Sequence, residues 1–149
     1  MISIEFQNIH SDRTIKALLQ KAAKIALPEQ SSDLSIVVCD DDFIQTLNHE
    51  YRKVDKPTDV LSFPSDETDP ESGIRYLGDI IISLPKATAQ AAEANHPVAE
   101  ELSMLAIHGV LHLSGYDHQT VAEKKVMWEK QAELLRLLGI EMDKFSGDD

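Results

Sequence analysis

Leu77 to Ile82 ends in Ile80-Ile81-Ile82, a strand-like run in which consecutive positions are all apolar. Successive side chains of a strand point to opposite faces, so this run needs cover on both faces of its sheet. The rest of the chain supplies that cover. Ile2, Ile4 and Phe6 alternate over residues 2–8 and predict a first strand, and Leu34–Cys39 is a β-branched second one. Between them Ser11 or Asp12 opens a helix with Ile15, Leu18, Leu19, Ala22, Ile25 and Ala26 at helical spacing, stopped by Pro28. Asp40, Asp41 and Asp42 offer N-caps to a short helix carrying Phe43, Ile44 and Leu47 to about Arg52. Asp59–Phe63 is a short strand closed by Pro64. Helices are expected over about Leu84–Asn95, Val98–Leu113 and Val121–Leu138, with a capping box at Thr120 and Glu123 and Gly139 as the C′ residue. The order βαβαββααα predicts one α+β domain over residues 1–149, a small mixed four-stranded sheet covered by about five helices. The loop from Pro64 to Gly73 holds four acidic and no basic residues and is expected to be mobile and solvated, and the polar tail 141–149 to be frayed.

Composition bounds the function. A chain of 149 residues with 42% apolar content has material for a real core. One cysteine excludes an internal disulfide framework and a Cys-rich zinc ribbon, and Cys39 itself reads as a small buried hydrophobe. No apolar run is long enough to span a bilayer, and the N-terminus lacks a signal-peptide pattern, so a reduced, cytoplasmic location with no membrane partner is expected. The net charge of −12 argues against a general nucleic-acid coat, because counterion release needs a basic surface. Any nucleic-acid role must use a local basic patch.

The chemistry-bearing segment is His108-Gly109-Val110-Leu111-His112-Leu113-Ser114-Gly115-Tyr116-Asp117-His118. His108 and His112, four apart on a helix, project from one face. Gly115 can take φ > 0, end the helix and let His118 swing back. Three neutral imidazoles with an open fourth position suit zinc used for catalysis rather than for structure. Asp117 reads equally as an acceptor fixing a ligand tautomer or as a solvated turn residue. Gly109 stands where the zincin proteases place their general-base Glu, so the segment points to a metal hydrolase more than to a protease. His10, His49 and His96 read as surface or packing residues, and Met127 and Trp128 sit at helical core spacing.

Tyr51–Asp59 carries three cations in an otherwise acidic chain. Arg52 is its best phosphate ligand, because a planar guanidinium makes bidentate contacts with phosphate oxygens. Here a resemblance enters. His108–His118 resembles the H-G-x-L-H-L-x-G-x-D-H signature of the bacterial YbeY endoribonucleases. Asn48–Arg52 leading into Lys56–Pro64, and Leu77-Gly78-Asp79-Ile80, match the same family in the same order. The resemblance implies one zinc ion held by His108, His112 and His118, with Arg52 as the catalytic arginine of the cleft. It also implies a single-strand-specific endoribonuclease of 16S rRNA 3′-end maturation and ribosome quality control, acting on RNA rather than DNA with ribosomal partners. Asp79 and Asp117 are near by motif only, with no role assigned. Two rival readings stay open: a metal-dependent amidase or peptidase, and a non-catalytic ribosome-assembly factor whose zinc is structural.

Overall fold

A computed structural model describes residues 1–29 and 31–141. The elements follow in order as β1 (Ile2–Gln7), α1 (Arg13–Ala26), β2 (Asp33–Cys39), α2 (Asp41–Arg52), β3 (Val60–Pro64), β4 (Tyr76–Ser83), α3 (Leu84–Ala94), α4 (Val98–Leu113) and α5 (Val121–Leu137). This is the expected α+β order. The tail expectation, beyond Glu141, lies outside the described residues. Local chemistry sets most boundaries. Asp12 and Asp40 cap α1 and α2 through side-chain oxygens, and both hydrogen bonds of the Thr120–Glu123 capping box are present at the start of α5.

The sheet order is β1-β2-β4-β3, with β1, β2 and β4 parallel and β3 antiparallel to β4. The isoleucine run therefore sits in an interior strand. Ile80 and Ile82 join Leu34, Ile36, Val38 and Val60 in the main core beneath α1, α4 and α5. Ile81 packs on the opposite face with Cys39, Ile44 and Leu61, under α2. Burying each such side chain contributes about 2 kcal/mol, and the run makes sense only with both layers present.

Leu77 and Ile80 share the main core although their odd separation would place them on opposite faces. The ladder between β2 and β4 explains this. Asp33 pairs with Tyr76 and Ser35 with Asp79, so two residues of β4 oppose one of β2. This bulge slips the alternation by one. Gly78 makes it possible, with φ +138 and the carbonyl oxygen of Phe63 only 2.2 Å from where a Cβ would stand.

Helix α4 is buried almost throughout from Glu101 to Leu111. It crosses β4 closely at Gly109, where a Cβ would lie 2.8 Å from Ile80 Cγ2. A glutamate at this position would be driven into the core, which explains why this segment departs from the protease pattern. Two expectations change. The acidic stretch 64–73 is solvated, yet it is an extension of the β3–β4 hairpin. Ser65 N–H donates to Leu77 O, Tyr76 N–H to Glu67 O and Asp69 N–H to Ile74 O, and Thr68 bridges Arg75. Trp128 is half-buried rather than core: it lies at the edge of α5 with Lys124 Nζ 4.6 Å from its ring centroid, while Met127 is fully buried.

Candidate metal centre

The three predicted histidines meet. His108 and His112 lie one turn apart at the C-terminal end of α4, with ring centroids 4.6 Å apart. His118 comes back to 4.9 Å from His112 and 5.5 Å from His108. One ring nitrogen from each lies within 4.8 Å of the others, the one such group among the described residues. The turn that returns His118 is built as expected on Gly115, at φ +105. Gly115 N–H donates to His112 O and Tyr116 N–H to Leu111 O, the two bonds of a Schellman helix end.

Second partners fix the imidazoles. Nδ1 of His108 donates to Gln131 Oε1 at 3.0 Å, and Nδ1 of His112 donates to the Tyr116 carbonyl at 3.1 Å. With Nδ1 protonated, the lone pair of each ring is on Nε2. Burial pushes the pKa of His108 down to about 3, and the neighbouring His112 and His118 add to that fall while Gln131 opposes it. His108 is thus a neutral donor at physiological pH. His118 Nε2 is buried without a hydrogen-bond partner, a cost of about 1–3 kcal/mol that a bound cation removes. The last turn of α4 also carries the negative end of the helix dipole, which favours a cation there. An all-imidazole donor set of this kind fits zinc, with nothing from the protein in a fourth position among the described residues.

His112 and His118 open onto a cleft of about 760 Å³, with His108 buried behind them. Its walls are Tyr51 and Arg52 from the end of α2, Val60–Pro64 from β3, and Gly115–Gln119 from the turn after α4. Arg52 thus shares a cleft with His112 and His118. It is presented there by a folded-back loop. Lys53 ends α2 in the left-handed conformation at φ +62, and buried Asn48 donates from Nδ2 to Lys56 O while its backbone carbonyl accepts from Val54 N–H. Asp59, fully buried, accepts from Val60 N–H and Thr58 Oγ1, and its carbonyl holds Ser83 N–H, pinning the loop's other end to β4.

Other candidates separate from the site. Asp117 lines the cleft, but the contact of its carboxylate is with its neighbour's backbone, His118 N–H at 2.8 Å. This is the turn-residue reading. Asp79 lies on the α2 face of the sheet, accepts from Tyr76 Oη, and lines a separate cavity with Glu5, Ser35 and Phe63. Cys39 is fully buried, and burial, with Asp40 and Asp41, raises its thiol to about 12. His10 and His49 are exposed, and His96 pairs with buried Glu101 at 2.6 Å. Gln131 was missed in the sequence, although a signal existed: it interrupts the apolar stripe Met127, Leu134, Leu135 of α5 with an amide that needs a buried partner.

Fold and site together are those of a small α+β protein with a tris-imidazole candidate metal centre in an arginine-lipped cleft. A family model described as "Endoribonuclease YbeY" matches residues 2–139, and the chain belongs to that family of RNA-cleaving hydrolases. A relative from Carboxydothermus hydrogenoformans, named Endoribonuclease YbeY, is 44% identical over 133 residues, covering 87% of this chain and 90% of its own. One of the same name from Lysinibacillus sphaericus is also 44% identical, over 87% of each chain. The solution structure of TM1509 from Thermotoga maritima superposes with a TM-score of 0.61 at 32% identity, covering 91% of this chain and 87% of that one. No described helix is long and apolar enough to cross a membrane.

Proposed function

We propose that this protein is a zinc-dependent, single-strand-specific endoribonuclease that matures the 3′ end of 16S rRNA in the cytoplasm and acts with ribosomal partners in ribosome quality control. His108, His112 and His118 are its zinc ligands and Arg52 its catalytic arginine. The observation that supports this reading is the convergence of three imidazoles, two of them oriented by hydrogen bonds, beside the cleft that Arg52, His112 and His118 line, in a chain of the YbeY family. Zinc bound there supplies a Lewis acid that brings the pKa of water towards about 7 and polarises a phosphate oxygen. Arg52 holds the scissile phosphate through its guanidinium and offsets the negative charge that grows on the phosphoryl oxygens in the transition state. Gln131 and the Tyr116 carbonyl keep the protons of His108 and His112 on Nδ1.

The rival readings fare less well. An amidase or peptidase would need a base from elsewhere in the cleft, since Gly109 replaces the zincin glutamate. The one carboxylate lining the cleft among the described residues, Asp117, accepts from His118 N–H. A purely structural zinc needs four protein ligands, whereas three are gathered here among the described residues and two of them, His112 and His118, line an open cleft. With a net charge of −12, weak affinity for naked RNA is expected, which supports reliance on a ribosomal partner.

The test is cleavage of an RNA carrying the small-subunit 3′ end, alone and with ribosomal particles, by wild type and Arg52→Ala purified identically. Arg52→Ala is expected to keep its zinc and circular dichroism spectrum and to cut about a hundredfold more slowly. Equal cutting by both preparations, or none by either, overturns the reading. A second expectation concerns Gln131. Replacing it with Met keeps the volume but removes the acceptor of His108 Nδ1, and should weaken zinc affinity about tenfold to a hundredfold in a competitive chelator titration. Unchanged affinity would show that Gln131 only fills space.

A further inference from the structure

Tyr51 is a large aromatic side chain left 61% exposed, the one aromatic among the large exposed apolar residues that the structure describes. It is not loosely placed. Phe63 packs against it edge to face, with centroids 5.1 Å apart and rings inclined by 63°. It adjoins Arg52 in sequence and lines the same cleft, and it also borders the second cavity, between α2 and the sheet. A held, outward-facing ring beside a phosphate-binding arginine is the arrangement with which proteins take up single-stranded nucleic acid.

Resting on the endoribonuclease reading, we infer that Tyr51 is a stacking platform for a nucleobase next to the phosphate held by Arg52. In a chain of charge −12 the long-range field repels RNA, so contacts that do not depend on phosphate charge must add to the local one that Arg52 makes. Stacking on a ring is one. It is tolerant of base identity because every base has a π-face, and a tyrosine already held by Phe63 loses little rotational freedom on binding. A base in a duplex has its faces occupied by its neighbours, so the same contact accounts for a preference for single strands.

The test uses a fluorescently labelled single-stranded RNA made uncleavable by 2′-O-methyl ribose, with binding read by anisotropy, and the cleavable RNA of the same sequence for kinetics. Zinc content and melting temperature are recorded for every variant. Tyr51→Ala should weaken binding and raise KM about tenfold or more, with kcat within about twofold of wild type. Tyr51→Trp and Tyr51→Phe should retain both. The fold-loss should be the same at low and high salt. An abasic site moved along the RNA should reproduce the loss at one position in wild type and add nothing in Tyr51→Ala. Unchanged binding in Tyr51→Ala, a loss confined to kcat, or additive losses from the abasic site and the variant would each overturn the platform while leaving the nuclease reading intact. If zinc-loaded wild type neither binds nor cuts RNA, even with ribosomal particles, the nuclease reading itself fails and takes this inference with it.

Discussion

Replacing His112 with alanine is expected to abolish the zinc binding proposed for this site and lower RNA cleavage by about a thousandfold, with helix content unchanged. His112 is the informative histidine because it is half-buried, whereas His108 is fully enclosed and its removal would also leave a cavity. The hydrogen bond from Nδ1 to the Tyr116 carbonyl is lost, worth about 1 kcal/mol. The transition state loses its metal, and a thousandfold corresponds to about 4 kcal/mol. Chelation of wild type should do the same: activity disappears while the circular dichroism spectrum stays. The core beneath α4 is assembled from Leu34, Ile36, Ile80, Ile82 and Leu105, and none of those contacts needs a metal. Zinc content, spectrum and cleavage rate measured on one preparation check this. Unfolding on chelation would instead mark the zinc as structural and favour the assembly-factor reading.

The second large effect is on stability. Gly78→Ala should destabilise the fold by about 4 kcal/mol and lower the melting temperature by about 10 °C. A β-carbon there stands 2.2 Å from the Phe63 carbonyl oxygen and 3.0 Å from Pro64 Cα, both on the backbone of the paired strand, at a φ of +138 that side chains rarely adopt. Neither neighbour can rotate away, so β3 must shift. Gly73→Ala is the control, since Gly73 also has positive φ but open space around it; its cost should be about 1 kcal/mol. Equal costs at the two positions would show that backbone conformation alone matters and that the close approach of β3 does not. Because β3 forms a wall of the cleft, Gly78→Ala should also reduce cleavage at temperatures where the protein remains folded.

Part of this is legible in the sequence because it is local. Capping by Asp12, Asp40 and Thr120–Glu123, the helix stop near Pro28, the left-handed Gly115 and Gly139, and the three-histidine spacing all depend on residues within about ten positions of one another. Periodicity and hydrogen-bonding chemistry act over that range, so the pattern of residue types is enough to state the geometry. The isoleucine run likewise announces a two-sided environment, since strand alternation is a property of the backbone.

The tertiary structure decided what depends on partners far along the chain. It inserted β4 between β2 and β3 and bulged it at Gly78, which turned Asp79 away from the histidines and onto the α2 face. Gln131 was brought to His108 across 23 residues, Tyr51 and Arg52 to the cleft below His112, and Phe63 against Tyr51. A glutamine or a tyrosine carries no mark in sequence of the group it will meet, because that meeting is fixed by how helices and sheet pack to bury apolar surface. The three-histidine group could be read from spacing. What holds their protons, what shares their cleft, and which acidic residues are kept out of it follow only from the packed fold.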